Sequence, residues 1–233
     1  MRSGNSFLIS GVKIYRLRLY AKNLQPLFDF YHQALGFQEV ILKPNELWIK
    51  AGDTELIFEQ HPEGFVYHFA FLIPLGKLPE AITYLIDRGI DLLLYKGKQV
   101  IDFGTGKALY FYDPAGNIVE FIDRPDLEIK AFQAFSMNQI QRVNEIGVPV
   151  QDPLGVSTQL RDRYKIQLVK PEILGENFCW IGDYEGVFIV VKEGRHWLPT
   201  NIPSVSNDFE VEFQEATQGY SYRFEKGEIL DPN

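Results

Sequence analysis

Hydrophobic and polar positions alternate in three stretches of similar design, at residues 14–21, 66–73 and 143–150. Each is rich in β-branched and aromatic residues and reads as a strand. Side chains alternate faces along a strand. One face therefore carries Leu17, Leu19 and Ala21, then Phe69, Phe71 and Ile73, then Ile146, Val148 and Val150. The other face begins with Arg16, His68 and Glu145. Each copy thus sets one ionisable residue at one position, turned away from the apolar side.

A helix is predicted after each strand. Leu24, Leu27, Phe28, Tyr31 and Leu35 recur at helical spacing, with Asn23 as N-cap, Pro26 in the first turn and Gly36 at the end. Leu78, Ala81, Ile82 and Leu85 form the second stripe, opened by Pro79 and closed by Gly89. Asp152-Pro153 starts a weaker third helix that runs through Leu160 and Tyr164. Short strands follow each helix: 37–42, 47–50 and 54–60; then 92–95, 108–112 and 118–123; then 166–170, 178–182 and 187–192. A period of roughly 50 to 75 residues is that of a repeated supersecondary unit. Strands at 209–213 and 220–224 are expected to complete or cover the third unit, and 126–140 reads as a linker. The expected organisation is a two-module domain at 12–125 and a third, degenerate module at 141–233.

Composition narrows the classes. The chain has 233 residues, 45% hydrophobic and 23% charged, enough for a sizeable core without covalent staples. A formal charge of −8 argues against nucleic acid, whose binding needs a basic stripe. No apolar run approaches the ~18 residues of a membrane helix, so no membrane partner is expected and the cytoplasm is the default. The single cysteine, Cys179, lies in an aromatic setting and reads as a buried structural thiol. No Gly-rich phosphate loop is present, and 104–107 reads as a hairpin turn, so no nucleotide cofactor is expected.

Two segments carry a family likeness. The first runs from Leu17-Arg18-Leu19-Tyr20-Ala21-Lys22-Asn23-Leu24 to Phe30-Tyr31-His32-Gln33-Ala34-Leu35-Gly36-Phe37. The second is Tyr110-Phe111-Tyr112-Asp113-Pro114-Ala115-Gly116-Asn117-Ile118-Val119-Glu120-Phe121, a tight turn feeding a strand. Over 12–125 the chain resembles the vicinal-oxygen-chelate superfamily of glyoxalases, bleomycin-resistance proteins and extradiol dioxygenases. The resemblance implies an α+β fold in which paired strand–helix–three-strand modules form a curved mixed sheet around a cleft, here followed by a third partial module. It also implies a tendency to form homodimers.

In this family, metal ligands come from the first and last strands of each module. Carried onto this chain, those places are Arg16, Glu55, His68 and Glu120. His68, Glu120 and Glu55, the last interchangeable in alignment with Glu59, are the implied ligands of a divalent metal ion. Arg16 departs from the pattern, because a guanidinium has no lone pair to give. It would either orient a small anionic substrate, with Arg18 beside it and Tyr20, Tyr67 and Trp48 as cleft walls, or pair with Glu55 or Glu120 and close the site. With a metal, Glu120 and Arg16 would be the catalytic groups of a lyase or ring-cleaving dioxygenase. Without one, the chain would be a non-catalytic small-molecule binding protein like the bleomycin-resistance members, or a structural module. Glu145 occupies the ligand position of the third unit, but its matching last strand, 187–192, is apolar before Lys192, so no second metal site is expected there.

Overall fold

The fold was obtained as a computed structural model, which describes residues 11–166, 168, 173–215 and 218–230. The first module comprises β1 (Lys13–Ala21), α1 (Leu24–Phe28, continued by a wide π turn over Asp29–Ala34), β2 (Val40–Leu42), β3 (Glu46–Ala51) and β4 (Thr54–Gln60). The second comprises β5 (His68–Leu72), α2 (Leu78–Ile86), the short β6 (Leu92–Leu93) and β7 (Ile101–Asp102), then β8 (Lys107–Tyr112) and β9 (Ile118–Asp123). The third has β10 (Arg142–Val150), α3 (Pro153–Tyr164), β11 (Phe178–Gly182) and β12 (Val187–Lys192). The chain continues with a meander of β13 (Phe209–Glu215), β14 (Gln218–Glu225) and β15 (Glu228–Leu230). The strand expected at 166–170 falls largely outside the described residues.

The mixed α+β fold agrees with the sequence expectation; the partnership of the modules does not. One sheet has the order β15-β14-β13-β1-β4-β3-β2, and the other β11-β12-β10-β5-β9-β8-β6, with β7 on β8. The second module therefore joins the third, through the antiparallel pair β5–β10. The first joins the C-terminal meander, through the antiparallel pair β1–β13. Strands 209–213 and 220–224 thus extend the first module's sheet; they do not complete the third unit's sheet but do cover it, Phe213 and Tyr222 packing on Tyr164 and Phe188. The reason is combinatorial: the opening strands present equivalent apolar faces, and nothing local in their pattern selects which two become neighbours.

The apolar faces of both sheets and the helices build one continuous core. Tyr31 stacks on Phe58 of its own module, and Phe37 meets Phe71 of the second module at 5.6 Å between ring centroids. Phe188 meets Phe213 at 5.2 Å and ties the third module to the meander. Thr54 bridges the sheets: its hydroxyl donates to the Ile14 carbonyl at 2.6 Å and accepts the Val143 N–H at 2.9 Å. Gly52 is required at that junction, because its φ is +60° and a Cβ there would lie 2.0 Å from the Gln141 carbonyl oxygen. Tyr31 also donates to Asp113 at 2.8 Å, which fixes the 113–117 turn leading into β9. Among the described residues no helix is long and apolar enough to cross a membrane. The outward faces of the two sheets, which carry Arg16, His68 and Glu145, are where the sites form.

Candidate functional site

The register of the strands defines three equivalent sets of positions. In the first module Arg16 lies opposite Glu55 and Arg18 opposite Ile57. In the second His68 lies opposite Ile118 and Ala70 opposite Glu120. In the third Glu145 lies opposite Val187 and Gly147 opposite Ile189. The position of Glu120 is therefore held by Ile57 in the first module and by Ile189 in the third. Glu55 sits two residues away from it, so the sequence carry-over to Glu55 is corrected by one pleat.

Because β5 and β10 are neighbours, His68, Glu120 and Glu145 converge. One donor atom from each lies within 4.8 Å of the others, and all three residues are buried. The His68 Nδ1 lies 3.1 Å from the Ile118 carbonyl oxygen. A carbonyl only accepts, so the proton of a neutral imidazole resides on Nδ1 and the Nε2 lone pair is free. That nitrogen faces Glu120 Oε2 at 3.4 Å. Two electron-rich atoms so close need a proton or a cation between them. Burial pushes the His68 imidazole down to about 4, assisted by the charge of Arg195, so the ring is neutral. Burial pushes the Glu120 carboxyl well up; the neighbouring Glu145 adds to this, while Arg124 and a hydrogen bond from Tyr110 oppose it. Burial also raises Glu145, against the opposing pull of Arg124. A neutral imidazole and two carboxylates that resist standing alone as anions fit a divalent ion, which would offset both charges.

Arg124 is the fixed cation of the site. It pairs with Glu145, donates to Asn144 Oδ1 at 3.2 Å, and lies 5.6 Å from the Trp180 ring. The three donors open into a cavity of about 520 Å³ bordered by Phe103, Tyr110, Phe178, Trp180, Ile189 and Trp197. Trp197 lies 5.0 Å from the His68 ring. It can do so because Gly147 is beneath it: a Cβ there would lie 2.6 Å from Trp197 Cη2. Small residues at Ala70 and Gly147 leave the space open, whereas their first-module equivalent is Arg18.

The remaining sequence-derived candidates lie on the other sheet. Arg16 donates to Glu55 through Nε and Nη2, at 3.0 and 2.8 Å, and pairs with Glu212 at 2.6 Å. This is the closed arrangement held open as an alternative. Arg18 pairs with Glu46, Glu59 and Glu210. Tyr20 packs edge-on against His61 and Phe65. Trp48 donates to Glu46 at 2.9 Å and lies under Lys43. None of these four, nor Glu55's carboxylate, joins His68 and Glu120, because the first module pairs with the meander. The sequence reading missed Glu145 as their partner, and Arg124, Arg195 and Trp197 around them. The alignment of Arg16, His68 and Glu145 in one slot was the available signal. The 194–200 segment forms part of the cavity wall through Arg195, Trp197 and Leu198.

No family model and no curated protein matches the chain by sequence. Solved structures do match. A Bacillus subtilis protein described as a candidate dioxygenase superposes with a TM-score of 0.60 at 13% identity, over 96% of this chain and 86% of its own. A lactoylglutathione lyase from Agrobacterium tumefaciens matches 47% of this chain and 92% of its own, at 24% identity and a TM-score of 0.41. A glyoxalase-family protein from Bacillus anthracis covers 53% of this chain and 99% of its own, at 24% identity and a TM-score of 0.40. The nearly full-length superposition, the module architecture and the two sequence motifs agree, and the chain has the vicinal-oxygen-chelate fold.

Proposed function

We propose that His68, Glu120 and Glu145 hold a divalent metal ion, and that a small organic molecule is bound and transformed beside them. One observation carries this reading: a neutral imidazole nitrogen and two carboxylates, from two modules, converge within 4.8 Å against a cavity large enough for a ligand. Ile189, where a fourth ligand would stand, leaves coordination positions to the substrate. Such an ion would supply Lewis-acid polarisation of two adjacent substrate oxygens. The protein's own groups do the rest. The Ile118 carbonyl fixes the His68 tautomer. Tyr110 orients Glu120, whose carboxylate would accept a proton from the substrate. Trp180 and Trp197 exclude water. The reaction class is that of a metal-dependent lyase or a ring-cleaving dioxygenase, acting in the cytoplasm.

A second reading is favoured by the Arg124–Glu145 pair: a metal-free binding pocket whose counter-charge is the guanidinium. Elemental analysis of untagged protein, purified without chelator, separates the two. The expected result is a stoichiometric ion that is lost in His68→Ala and Glu145→Ala and kept in Glu55→Ala. Absence of any ion, or its loss only in Glu55→Ala, defeats the metal reading.

A further inference from the structure

Arg195 differs from the other guanidinium groups of the two outward faces. Arg16, Arg18 and Arg124 each have a carboxylate partner. Arg195 borders the same cavity as His68 and Glu120, and among the described residues no carboxylate meets it. Desolvation alone perturbs it, lowering its pKa, with no compensating anion. Its guanidinium lies 5.1 Å from the Phe178 ring. The loop that carries it is pinned: the Arg195 N–H donates to the Lys192 carbonyl at 3.0 Å, and its carbonyl accepts from Ser204 at 2.8 Å. Trp197 is fixed in the same loop by its bond to the Ile202 carbonyl at 3.0 Å. The loop thus presents a half-buried, unpaired cation and an indole ring to one cavity.

The charge of the cavity points the same way. Its two guanidinium groups face two carboxylates, and Arg124 is already engaged by Glu145, so Arg195 is the cation left to a ligand in a mostly apolar enclosure. Phe103, Phe178, Trp180 and Trp197 offer the flat faces on which a ring packs. A planar guanidinium binds a carboxylate through two parallel hydrogen bonds, and does so best where water is scarce.

We propose that Arg195 is a specificity-determining residue that anchors the carboxylate of an aromatic acid, whose ring is taken up by the cavity's aromatic wall. This rests on the cavity being the ligand site and names its substrate class.

The test uses the chelator-treated full chain and calorimetric binding of 2-hydroxybenzoate and its neutral counterpart 2-hydroxybenzamide. The native protein should prefer the acid by about tenfold or more, the range expected of a charge-assisted pair. Arg195→Met should erase the preference while binding the amide as the native protein does, and Arg195→Lys should keep part of it. Unchanged amide binding also reports that the variant is folded. Equal binding of both probes to the native protein, binding of neither, or a preference that persists in Arg195→Met overturns the proposal. So does a preference that appears only when manganese is added, which would place the anchor on the ion. Preference for the acid in a protein that elemental analysis finds to lack metal as purified upholds the role of Arg195 and defeats the metal reading alone.

Discussion

Replacing Arg124 by Met tests the electrostatics of the site most directly. The Arg124 and Glu145 side chains are 2% and 8% exposed, so the pair has almost no solvent to fall back on. Removing one partner of such a pair costs about 3–5 kcal/mol when the other stays charged. Glu145 has an escape: it can take up a proton. Its carboxyl is already held above the ordinary 4.5 by burial, with Arg124 opposing, so the substitution pushes it higher still. A raised folded-state pKa makes the neutral form the better folder. The stability it contributes is complete below about pH 4.5 and is lost as pH rises, at about 1.4 kcal/mol per unit. In chelator-treated protein, Arg124→Met should therefore cost about 3 kcal/mol at pH 7 and clearly less at pH 5, read from urea unfolding. The double variant Arg124→Met/Glu145→Gln should recover most of the pH 7 loss, because both charges are gone. A divalent metal in hundredfold excess over its dissociation constant should restore about 2.7 kcal/mol to the single variant. An equal deficit at both pH values, or a double variant no more stable than the single, would show that Arg124 is not the counter-charge of Glu145.

Other perturbations follow from the same geometry. Ile189→Glu adds a carboxylate where the third module lacks one, and should tighten manganese binding about tenfold or more by titration; unchanged affinity refutes the register argument. Asp113, buried at the 113–117 turn, is pushed up to about 6 by desolvation. Its neutral form favours folding below about pH 4 and that advantage, about 3 kcal/mol, is lost by pH 6. Asp113→Asn, which does not titrate, should therefore show a deficit about 3 kcal/mol larger at pH 4 than at pH 7, and a deficit that grows with pH contradicts this. Gly147→Ala should displace Trp197, cost about 1–3 kcal/mol, and change the tryptophan near-ultraviolet circular dichroism; an unaltered spectrum opposes the contact. Arg16→Met, in a half-exposed ion-pair cluster, should cost about 1 kcal/mol or less and leave bound metal unchanged.

The strands, helices and turns were legible because each is written in a local period. Leu17, Leu19 and Ala21 alternate, Leu24, Leu27 and Tyr31 do not, and Asp113-Pro114-Ala115-Gly116 turns the chain. The equivalence of Arg16, His68 and Glu145 was legible for the same reason. Their grouping was not, since it depends on which opening strands become neighbours and on irregular registers. One shift falls between Val143 and Glu145 and another between Ile14 and Arg16. A one-pleat error likewise separated Glu55 from the true counterpart of Glu120.

Those equivalent positions also explain why one outward face is a cavity and the other is not. The residue two beyond the ionisable slot is Arg18 in the first module, Ala70 in the second and Gly147 in the third. Arg18 and Arg16 spread over the first sheet, tied to Glu46, Glu55, Glu59, Glu210 and Glu212, and occupy the place that Ala70 and Gly147 leave open in the second. Glu210 stands opposite Arg18 as Glu145 stands opposite Ala70, so the same carboxylate position serves an internal guanidinium in one sheet and a candidate metal in the other. Ala70 and Gly147 provide the space, and Ile189 withholds the fourth donor. The chemistry of the protein is thus set less by the fold its modules share than by whether the second outward side chain of each opening strand is long and charged or nearly absent.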